Sequence, residues 1–358
     1  MRCYNSTMFN TISVKNFRGI EDLKIDNLSK INLIVGDNAT GKTAILDVIY
    51  ILINPGNPQL PLKTNEWRNL GYFTPSYWRS FFYNFDYKNE ISLTADVHKV
   101  KRSVQIKPRI STTRMIASDS QSNVELKAGS EIEMVINGLE LSFQVGKQKH
   151  QSSIEQNTLN QAKLNPSTDY KEDLQGHYFN NITYSREVDL AGKFDQVNQE
   201  IGKEQIINFM KKFKTNIEDI ELDQFKKLLV KDVSFGTRRV HLNTYGDGIV
   251  RGLHILLDVL SKKDGITLID EIENGLHWSK QEVIWEVIYQ IVKERNQQLF
   301  ISTHSREMID HLYSVAKKEN FTDLIRVYRL QNVDNKIKVV SYEPKQLEFA
   351  LTHGEEFR

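Results

Sequence analysis

The chain has 358 residues, 39% of them hydrophobic and 26% charged, which is typical of a globular protein that can bury a sizeable core. Its formal net charge of +1 argues against coating nucleic acid through the overall field, and its single cysteine, Cys3, excludes an intrachain disulfide framework and a thiolate zinc cluster. No apolar run reaches the roughly 18 residues that span a membrane, and the first residues lack the apolar stretch of a secretory signal, so we expect a cytoplasmic protein with no membrane partner.

The amino-terminal segment predicts a strand, a glycine-containing loop and a helix, in that order. After two short strand patterns, the apolar run 31–35 has the length of a buried strand and ends at Gly36. From Thr43 the apolar residues follow a helical spacing, which Pro55 brings to an end.

The rest of the chain divides into a middle with weak periodicity and a last third with clear periodicity. The middle mixes an aromatic cluster, interpreted as a small core, with alternating strand patterns, and its polar tract 147–173 has the composition of a mobile loop. In the last third, helices are predicted at 249–261, 279–295 and 306–317, with strands at 266–270 and 299–302.

Strands that alternate with helices predict an α/β fold with a mainly parallel sheet flanked by helices. The middle is predicted to be an inserted, mostly β subdomain. The expected organisation is an amino-terminal lobe at residues 1–55, the insertion at 56–180, and a carboxy-terminal lobe at 181–358.

A complete phosphate-binding loop pattern lies between the predicted strand and helix. It consists of Gly36, Asp37, Asn38, Ala39, Thr40, Gly41, Lys42 and Thr43. The glycines let backbone N–H groups curl around phosphate oxygens, and the positive end of the helix dipole adds to this anion site. In such a loop Lys42 reaches the β- and γ-phosphates and the Thr43 hydroxyl ligates Mg²⁺, so the sequence predicts binding of ATP or GTP with Mg²⁺.

Two further motifs supply candidate catalytic groups. Strand 266–270 ends in adjacent carboxylates, of which Asp270 suits the magnesium shell and Glu271 suits polarising the attacking water. After the next strand, His304 is expected at the same edge of the sheet, where its ring could hydrogen-bond the γ-phosphate or the water. The alternative for His304 is a cap on the helix that begins near Ser305.

Five ordered motifs together resemble the ABC-type ATPases of the RecF, SMC and OLD class, in the branch called AAA family ATPases. They are Asn16-Phe17-Arg18-Gly19-Ile20, the phosphate loop, Gly246-Asp247-Gly248 with Arg251, Asp270-Glu271 with residues 273–277, and Thr303-His304-Ser305. With the tail at 324–358, the likeness covers roughly residues 9–55 and 180–358. The resemblance implies a P-loop NTPase fold with an ABC-ATPase-type head and ATP hydrolysis.

In this class the signature loop of a second protomer completes each nucleotide site, so the resemblance implies a homodimer or higher homo-oligomer. Gly246, Asp247 and Gly248 match that trans signature loop, although Gly246 stands where many relatives have serine. The dimer-contacting loop falls on residues 274–277, and the sequence does not place a Q-loop. Arg18 matches an arginine that approaches the nucleotide in some relatives; a surface or strand-pairing role is the alternative.

A basic stretch in the insertion is a candidate contact for DNA. Its cations are Lys99, Lys101, Arg102, Lys107, Arg109 and Arg114, and no acidic residue lies among them. Alternation along a strand could place several of them on one face, where they would bind phosphates with salt-sensitive strength. A solvated strand face is the alternative interpretation.

The resemblance implies an ATP-driven switch, like the short relatives that serve bacterial anti-phage defence beside a separately encoded effector, often a nuclease. No acidic cluster of a TOPRIM nuclease follows Thr303, so we expect no DNA cleavage by this chain alone. The alternatives are a DNA-binding repair or chromosome-maintenance ATPase, a nucleotide-sensing regulator with little turnover, and the ATPase subunit of a transporter. The first is disfavoured because no long coiled coil separates the two ATPase halves.

Overall fold

The computed structural model describes residues 8–70, 74–114, 132–157, 161–180 and 190–357, so Cys3 lies outside the described residues. Along the chain the strands are β1 (Phe9–Phe17), β2 (Ile20–Ile25), β3 (Ile31–Val35), β4 (Ile91–Val97), β5 (Val100–Arg114), β6 (Ile132–Val145), β7 (Gln148–Gln156), β8 (Ala162–Asn165), β9 (Gly176–Phe179), β10 (Ile217–Leu222), β11 (Leu228–Asp232), β12 (Arg239–His241), β13 (Ile266–Ile269), β14 (Gln298–Ser302), β15 (Ile325–Val333) and β16 (Lys336–Tyr342). The helices are α1 (Lys42–Ile53), α2 (Gln59–Glu66), α3 (Pro75–Arg79), α4 (Leu190–Ile201), α5 (Lys203–Phe213), α6 (Asp247–Leu260), α7 (Trp278–Arg295), α8 (Arg306–Lys318) and α9 (Pro344–Thr352). No helix within the described ranges is long and apolar enough to cross a membrane.

A six-stranded sheet with the order β16-β15-β3-β14-β13-β9 organises the site. Its strands are parallel except for β16, which pairs antiparallel with β15 at one edge. β3, β13 and β14 are buried along their whole length, as expected of parallel strands whose two faces are both covered. The predicted helices and strands of the last third are confirmed to within two residues.

The larger sheet has seven strands in the order β2-β1-β4-β5-β6-β7-β8, and all its pairings are antiparallel. The prediction of a mainly parallel sheet is therefore wrong for this sheet and describes only the six-stranded one. The reason is that β1 pairs with β4, as in Val14 opposite Leu93, so the first two strands and the insertion form one continuous sheet.

The insertion also differs from expectation at its polar tract. The prediction of a loop at 147–173 is wrong where β7 and β8 form, because β7 pairs with β6 and β8 pairs with β7. Lys149 and Gln151 of β7 are exposed, while Ser152 and Ile154 are buried. β9 lies inside the predicted insertion 56–180 but joins the six-stranded sheet beside β13. The three-part division of the chain remains a prediction.

The phosphate-loop helix α1 lies between the two large sheets. It contacts β1, β4 and β5 on one side and β9, β13 and β14 on the other, and ten of its twelve residues are buried. The aromatic cluster predicted to be a small core is confirmed where it is described: Tyr77, Trp78, Phe81 and Phe82 are almost fully buried in the same core. A second core lies on the opposite face of the six-stranded sheet, where α6, α7 and α8 pack.

Candidate active site

Four segments converge at the carboxyl edge of the six-stranded sheet. The phosphate loop follows β3, Asn180 follows β9, the Asp270-Glu271 pair follows β13, and His304 follows β14. Because these four strands are parallel, their carboxyl ends meet at one edge, which is the usual ligand crevice of such sheets. The structure thus brings together residues that lie more than 200 positions apart.

The phosphate loop has the backbone that its glycines were expected to provide. Gly36 has φ of 141°, and a Cβ atom there would lie 2.3 Å from the carbonyl oxygen of Leu330. Gly41 has φ of 91° and directly precedes α1, and no side chain caps the first turn of that helix. The amino end of α1 therefore presents backbone N–H groups that a phosphate can accept from.

Lys42 is folded into its own loop. Its Nζ atom donates to the carbonyl oxygens of Gly36 and Asp37, both at 2.7 Å. Burial lowers the pKa of the Lys42 ammonium, and the carboxylates of Asp270, Glu273 and Glu271 oppose that shift. These two carbonyl contacts hold the ammonium at the loop, where phosphate oxygens would replace them.

Thr43 and Asp270 form the candidate magnesium site. The Thr43 hydroxyl donates to Asp270, with Oγ1 to Oδ2 at 3.0 Å, and the Ser302 hydroxyl donates to the same carboxylate. Burial raises the pKa of Asp270 to about 6, because the charged carboxylate has lost its water. A divalent cation fits here, since it would offset that burial cost. Within the described residues no group of three or more His, Cys, Asp or Glu residues could hold a metal, and Mg²⁺ typically takes few protein ligands and fills its shell with phosphate oxygens and water.

Hydrogen bonds hold both the backbone and the carboxylate of Glu271. Its N–H donates to Ser302 Oγ at 2.8 Å, and Asn274 Nδ2 donates to its Oε2 at 2.5 Å. Its φ of 52° is a left-handed conformation that costs a non-glycine residue about 1–3 kcal/mol. Such strain persists where surrounding contacts enforce it, which is typical of functional positions.

His304 pairs with Glu273, for which the sequence analysis predicts no separate role. The ring Nδ1 lies 2.8 Å from Glu273 Oε1, and the His304 backbone N–H donates to the same oxygen at 2.9 Å. The helix-cap alternative is wrong, because Ser305 caps α8 by accepting from the Met308 N–H. Glu273 therefore orients the imidazole that follows β14.

The signature-like loop forms the amino end of α6. Gly246 precedes the helix, Asp247 and Gly248 are its first residues, and both Gly246 and Asp247 are exposed. A Cβ atom on Gly248 would lie 3.3 Å from the carbonyl oxygen of Gly275, so this loop abuts the 274–277 loop of the same chain.

The Arg18 side chain is not on the surface, so the surface alternative is wrong, whereas its backbone N–H does pair with the carbonyl oxygen of Phe81 at 2.9 Å. Its Nε lies 3.1 Å from the buried carboxylate of Asp47, one helical turn beyond Thr43, and its Nη2 donates to Thr64 Oγ1 at 2.8 Å. Arg68 pairs with the same carboxylate at 2.6 Å. Burial lowers the pKa of Arg18 to about 10. The Arg18 guanidinium is held by α1, and its role toward nucleotide remains a prediction.

Asn180 joins the site without any sequence signal. With Thr43, Asp270, Tyr178 and Trp67 it lines a cavity of about 110 Å³, and it is 7% exposed. It arrives there because β9 pairs in parallel with β13, as in Phe179 opposite Ile269. The sequence shows only an asparagine after a short, weakly patterned strand, so this neighbour of Asp270 could not be predicted.

The basic stretch is divided between the two faces of β5. Lys101, Lys107 and Arg109 lie on the solvent face, where Lys107 pairs with Glu90 and Arg109 with Glu155. Lys99 lies in the turn before the strand, and the Arg114 side chain lies outside the described part. Arg102 must be removed from the predicted DNA contact. It is buried on the opposite face, pairs with Glu172 at 2.7 Å and donates to the carbonyl oxygens of Leu52 and Ile53 at the end of α1.

Sequence comparisons find relatives of this chain among known proteins. The family described as AAA ATPase domain matches residues 8–181 and, in a second overlapping match, 79–309. A protein named ATP/GTP phosphatase from Helicobacter pylori is 25% identical over 380 residues, which span 97% of this chain and 99% of that protein. The DNA replication and repair protein RecF of Oenococcus oeni is 46% identical over 43 residues, 12% of each chain.

Two solved structures share the fold. An Smc head domain bound to the C-terminal domain of ScpA derived from Pyrococcus furiosus has a TM-score of 0.52 at 12% identity, with 97% of this chain and 99% of that chain covered. An SmcHead bound to the C-winged helix domain of ScpA has a TM-score of 0.51 at 13% identity, with 96% and 99% covered.

Proposed function

We propose that this chain, which belongs to the AAA ATPase domain family, is an ATP-hydrolysing switch that closes as a homodimer on two ATP molecules. Each ATP would lie between the phosphate loop of one copy and the signature-like loop of the other. The observation that carries the proposal is the convergence of Lys42, Thr43, Asp270, Glu271 and His304 at one sheet edge. ATP with Mg²⁺ is the nucleotide form that this arrangement suits.

The positions of the side chains support the following roles. Thr43 and Asp270 would hold Mg²⁺, which would offset the negative charge of the phosphates. Lys42 moves from its own loop carbonyls to the phosphates, and the amino end of α1 cradles them with N–H groups. Glu271 accepts a proton from the attacking water, and Asn274 keeps that carboxylate in place. His304, held by Glu273 through Nδ1, offers its Nε2 to one hydrogen bond, which accepts from the attacking water when the ring is neutral and donates to a γ-phosphate oxygen when the ring is protonated.

A contiguous exposed surface supports the homodimer. The amino end of α6 abuts the 274–277 loop, and that loop is followed at once by Trp278, which is 68% exposed. A large exposed aromatic side chain beside two loops that contain glycine is typical of an interface anchor. Two copies related by a two-fold axis would each place this surface on the nucleotide of the other, giving two equivalent sites.

The resemblance to defence ATPases supports a finer proposal, that the switch serves anti-phage defence with a separately encoded effector. Closure on ATP would change the surface offered to that effector. The alternative of a repair ATPase that binds DNA through β5 has less support, because Arg102 is buried and two further cations are paired. Plating phage on cells that carry the neighbouring genes with wild-type chain or Lys42→Ala tests the defence role. Equal protection by both would exclude an ATP-dependent role.

Steady-state phosphate release tests the ATPase assignment. Glu271→Gln should keep ATP bound while turnover falls by a factor of ~100 or more, as expected for the loss of a positioned base. Lys42→Ala should lose most ATP binding. Glu286→Gln is the matched control, because Glu286 of α7 pairs with Lys318 of α8, belongs to none of the four segments that form the site, and should keep wild-type turnover when replaced. Wild-type turnover in Glu271→Gln would show that another group activates the water.

A further inference from the structure

Arg251 connects the signature helix to the backbone of the candidate base. It lies in the second turn of α6, is 2% exposed, and donates from Nη2 to the carbonyl oxygen of Glu271 at 2.9 Å. Its guanidinium also lies over the ring of Phe179 at the end of β9, with 5.1 Å from Cζ to the ring centroid. This buried side chain of α6 thus contacts both β9 and the segment after β13.

The residue that Arg251 contacts is the one with the unusual backbone. The Glu271 carbonyl accepts from Arg251 and also from the Asn274 N–H at 3.1 Å, while the Glu271 N–H donates to Ser302. These contacts enforce the left-handed φ of 52°, and with it the direction in which the carboxylate leaves the chain. Arg251 supplies the one of these contacts that comes from α6.

The amino end of α6 packs closely against the loop after Glu271. A Cβ atom on Gly248 would lie 3.3 Å from the Gly275 carbonyl oxygen, and a Cβ atom on Gly275 would lie 3.4 Å from Arg251 Cδ. A shift of the amino end of α6 therefore has to move Arg251 and the loop after Glu271 together, since packed interiors do not deform smoothly.

We propose that Arg251 is a positioning residue that couples the signature end of α6 to Glu271 of the same protomer. A phosphate that binds at the amino end of α6 belongs to the partner's nucleotide. Its contact would therefore position Glu271 at the protomer's own nucleotide. Each site would then prepare the other for hydrolysis. This inference rests on the proposed function, in which Glu271 polarises the water and the signature end faces the partner's ATP.

The test compares Arg251→Gln, Arg251→Lys and Arg295→Gln. Arg295, at the end of α7, is the matched control. It also donates from Nη2 to a carbonyl oxygen, that of Leu260 at 2.8 Å, but at the carboxyl end of α6. We expect Arg251→Gln to lower kcat by about 10- to 100-fold, the cost of a misplaced catalytic group, while ATP affinity stays within about threefold. Arg251→Lys keeps one donor, so its kcat should lie between those of the wild type and Arg251→Gln. Arg295→Gln should lose stability but keep kcat.

Combination with Glu271→Gln separates positioning from general damage. If Arg251 acts through Glu271, adding Arg251→Gln to Glu271→Gln should not lower the single-turnover rate further. Unchanged kcat in both Arg251 variants, or a full further loss in the double variant, would overturn the proposal while leaving the ATPase assignment intact. An absence of turnover in the wild-type protein would instead overturn the proposed function, and this inference with it.

Discussion

Replacing Arg102 with methionine should cost more stability than a change at any surface cation of the same strand. The Arg102 side chain is 8% exposed and its partner Glu172 is 6% exposed, and two nitrogens of Arg102 meet the two carboxylate oxygens at 2.7 and 2.8 Å. Removing one partner of a buried pair typically costs about 3–5 kcal/mol. Tyr170 and the Leu174 N–H still donate to Glu172 and soften the loss, so we expect about 3 kcal/mol.

The same change leaves the carbonyl oxygens of Leu52 and Ile53 without their 3.2 Å contacts at the end of α1. A loss of about 3 kcal/mol should lower the melting temperature by roughly 4 °C in a chain of this size. Thermal unfolding followed by circular dichroism, without nucleotide, measures it. Arg109→Met is the matched control, because Arg109 is more exposed and lies 3.6 Å from Glu155, and it should cost at most about 1 kcal/mol.

The double variant Arg102→Met with Glu172→Gln should recover part of the loss, because no uncompensated charge is then buried. An Arg102→Met variant as stable as Arg109→Met would refute the view that Arg102 clamps the insertion to the phosphate-loop helix. It would also return Arg102 to the candidate DNA contacts.

Two further predictions concern the magnesium site and the interface. Because burial raises the pKa of Asp270 to about 6, its charged form destabilises the metal-free protein, and that cost appears as pH rises from the unfolded value near 3.8 through 6. Asp270→Asn should therefore raise the melting temperature at pH 7.5 without Mg²⁺ but change it little at pH 4, and an equal effect at both values would contradict the assignment. Trp278→Ala should weaken the ATP-bound dimer by about 30-fold, or about 2 kcal/mol, as expected for an interface anchor; an unchanged dimer dissociation constant in sedimentation would place Trp278 outside the interface.

The parts of the site that depend on local sequence could be predicted. The phosphate loop needs glycine at fixed positions and a helix directly after it, and Asp270 and Glu271 end an apolar strand, so both are visible within short windows of sequence. The convergence of these motifs followed from the rule that parallel strands share a carboxyl edge.

The parts that depend on long-range pairing could not be predicted. Asn180 reaches Asp270 only through the pairing of β9 with β13, and Arg102 turns inward only because β5 has one face on α1. In the same way, β1 and β2 join the sheet of the insertion because β1 pairs with β4, and no local sequence pattern predicts that pairing. Arg251 belonged to a motif, but its contact with the Glu271 carbonyl requires the packing of α6 against the loop after β13.

Mixing two inactive variants tests the shared site most directly. Lys42→Ala removes the phosphate-loop cation, and Gly246→Arg adds bulk at an exposed position where a Cβ atom would meet nothing within 4 Å, so the fold should tolerate it. Neither variant alone should hydrolyse ATP, but a mixed dimer has one site with an intact phosphate loop and an intact signature loop. We predict that the equimolar mixture hydrolyses ATP faster than either variant alone, at no more than about a quarter of the wild-type rate, since half the dimers are mixed and each has one working site. The coupling through Arg251 lowers the rate below that ceiling, because the second site of the mixed dimer holds no ATP. No recovery in protein shown to exchange subunits, or full activity of Gly246→Arg alone, would contradict the account.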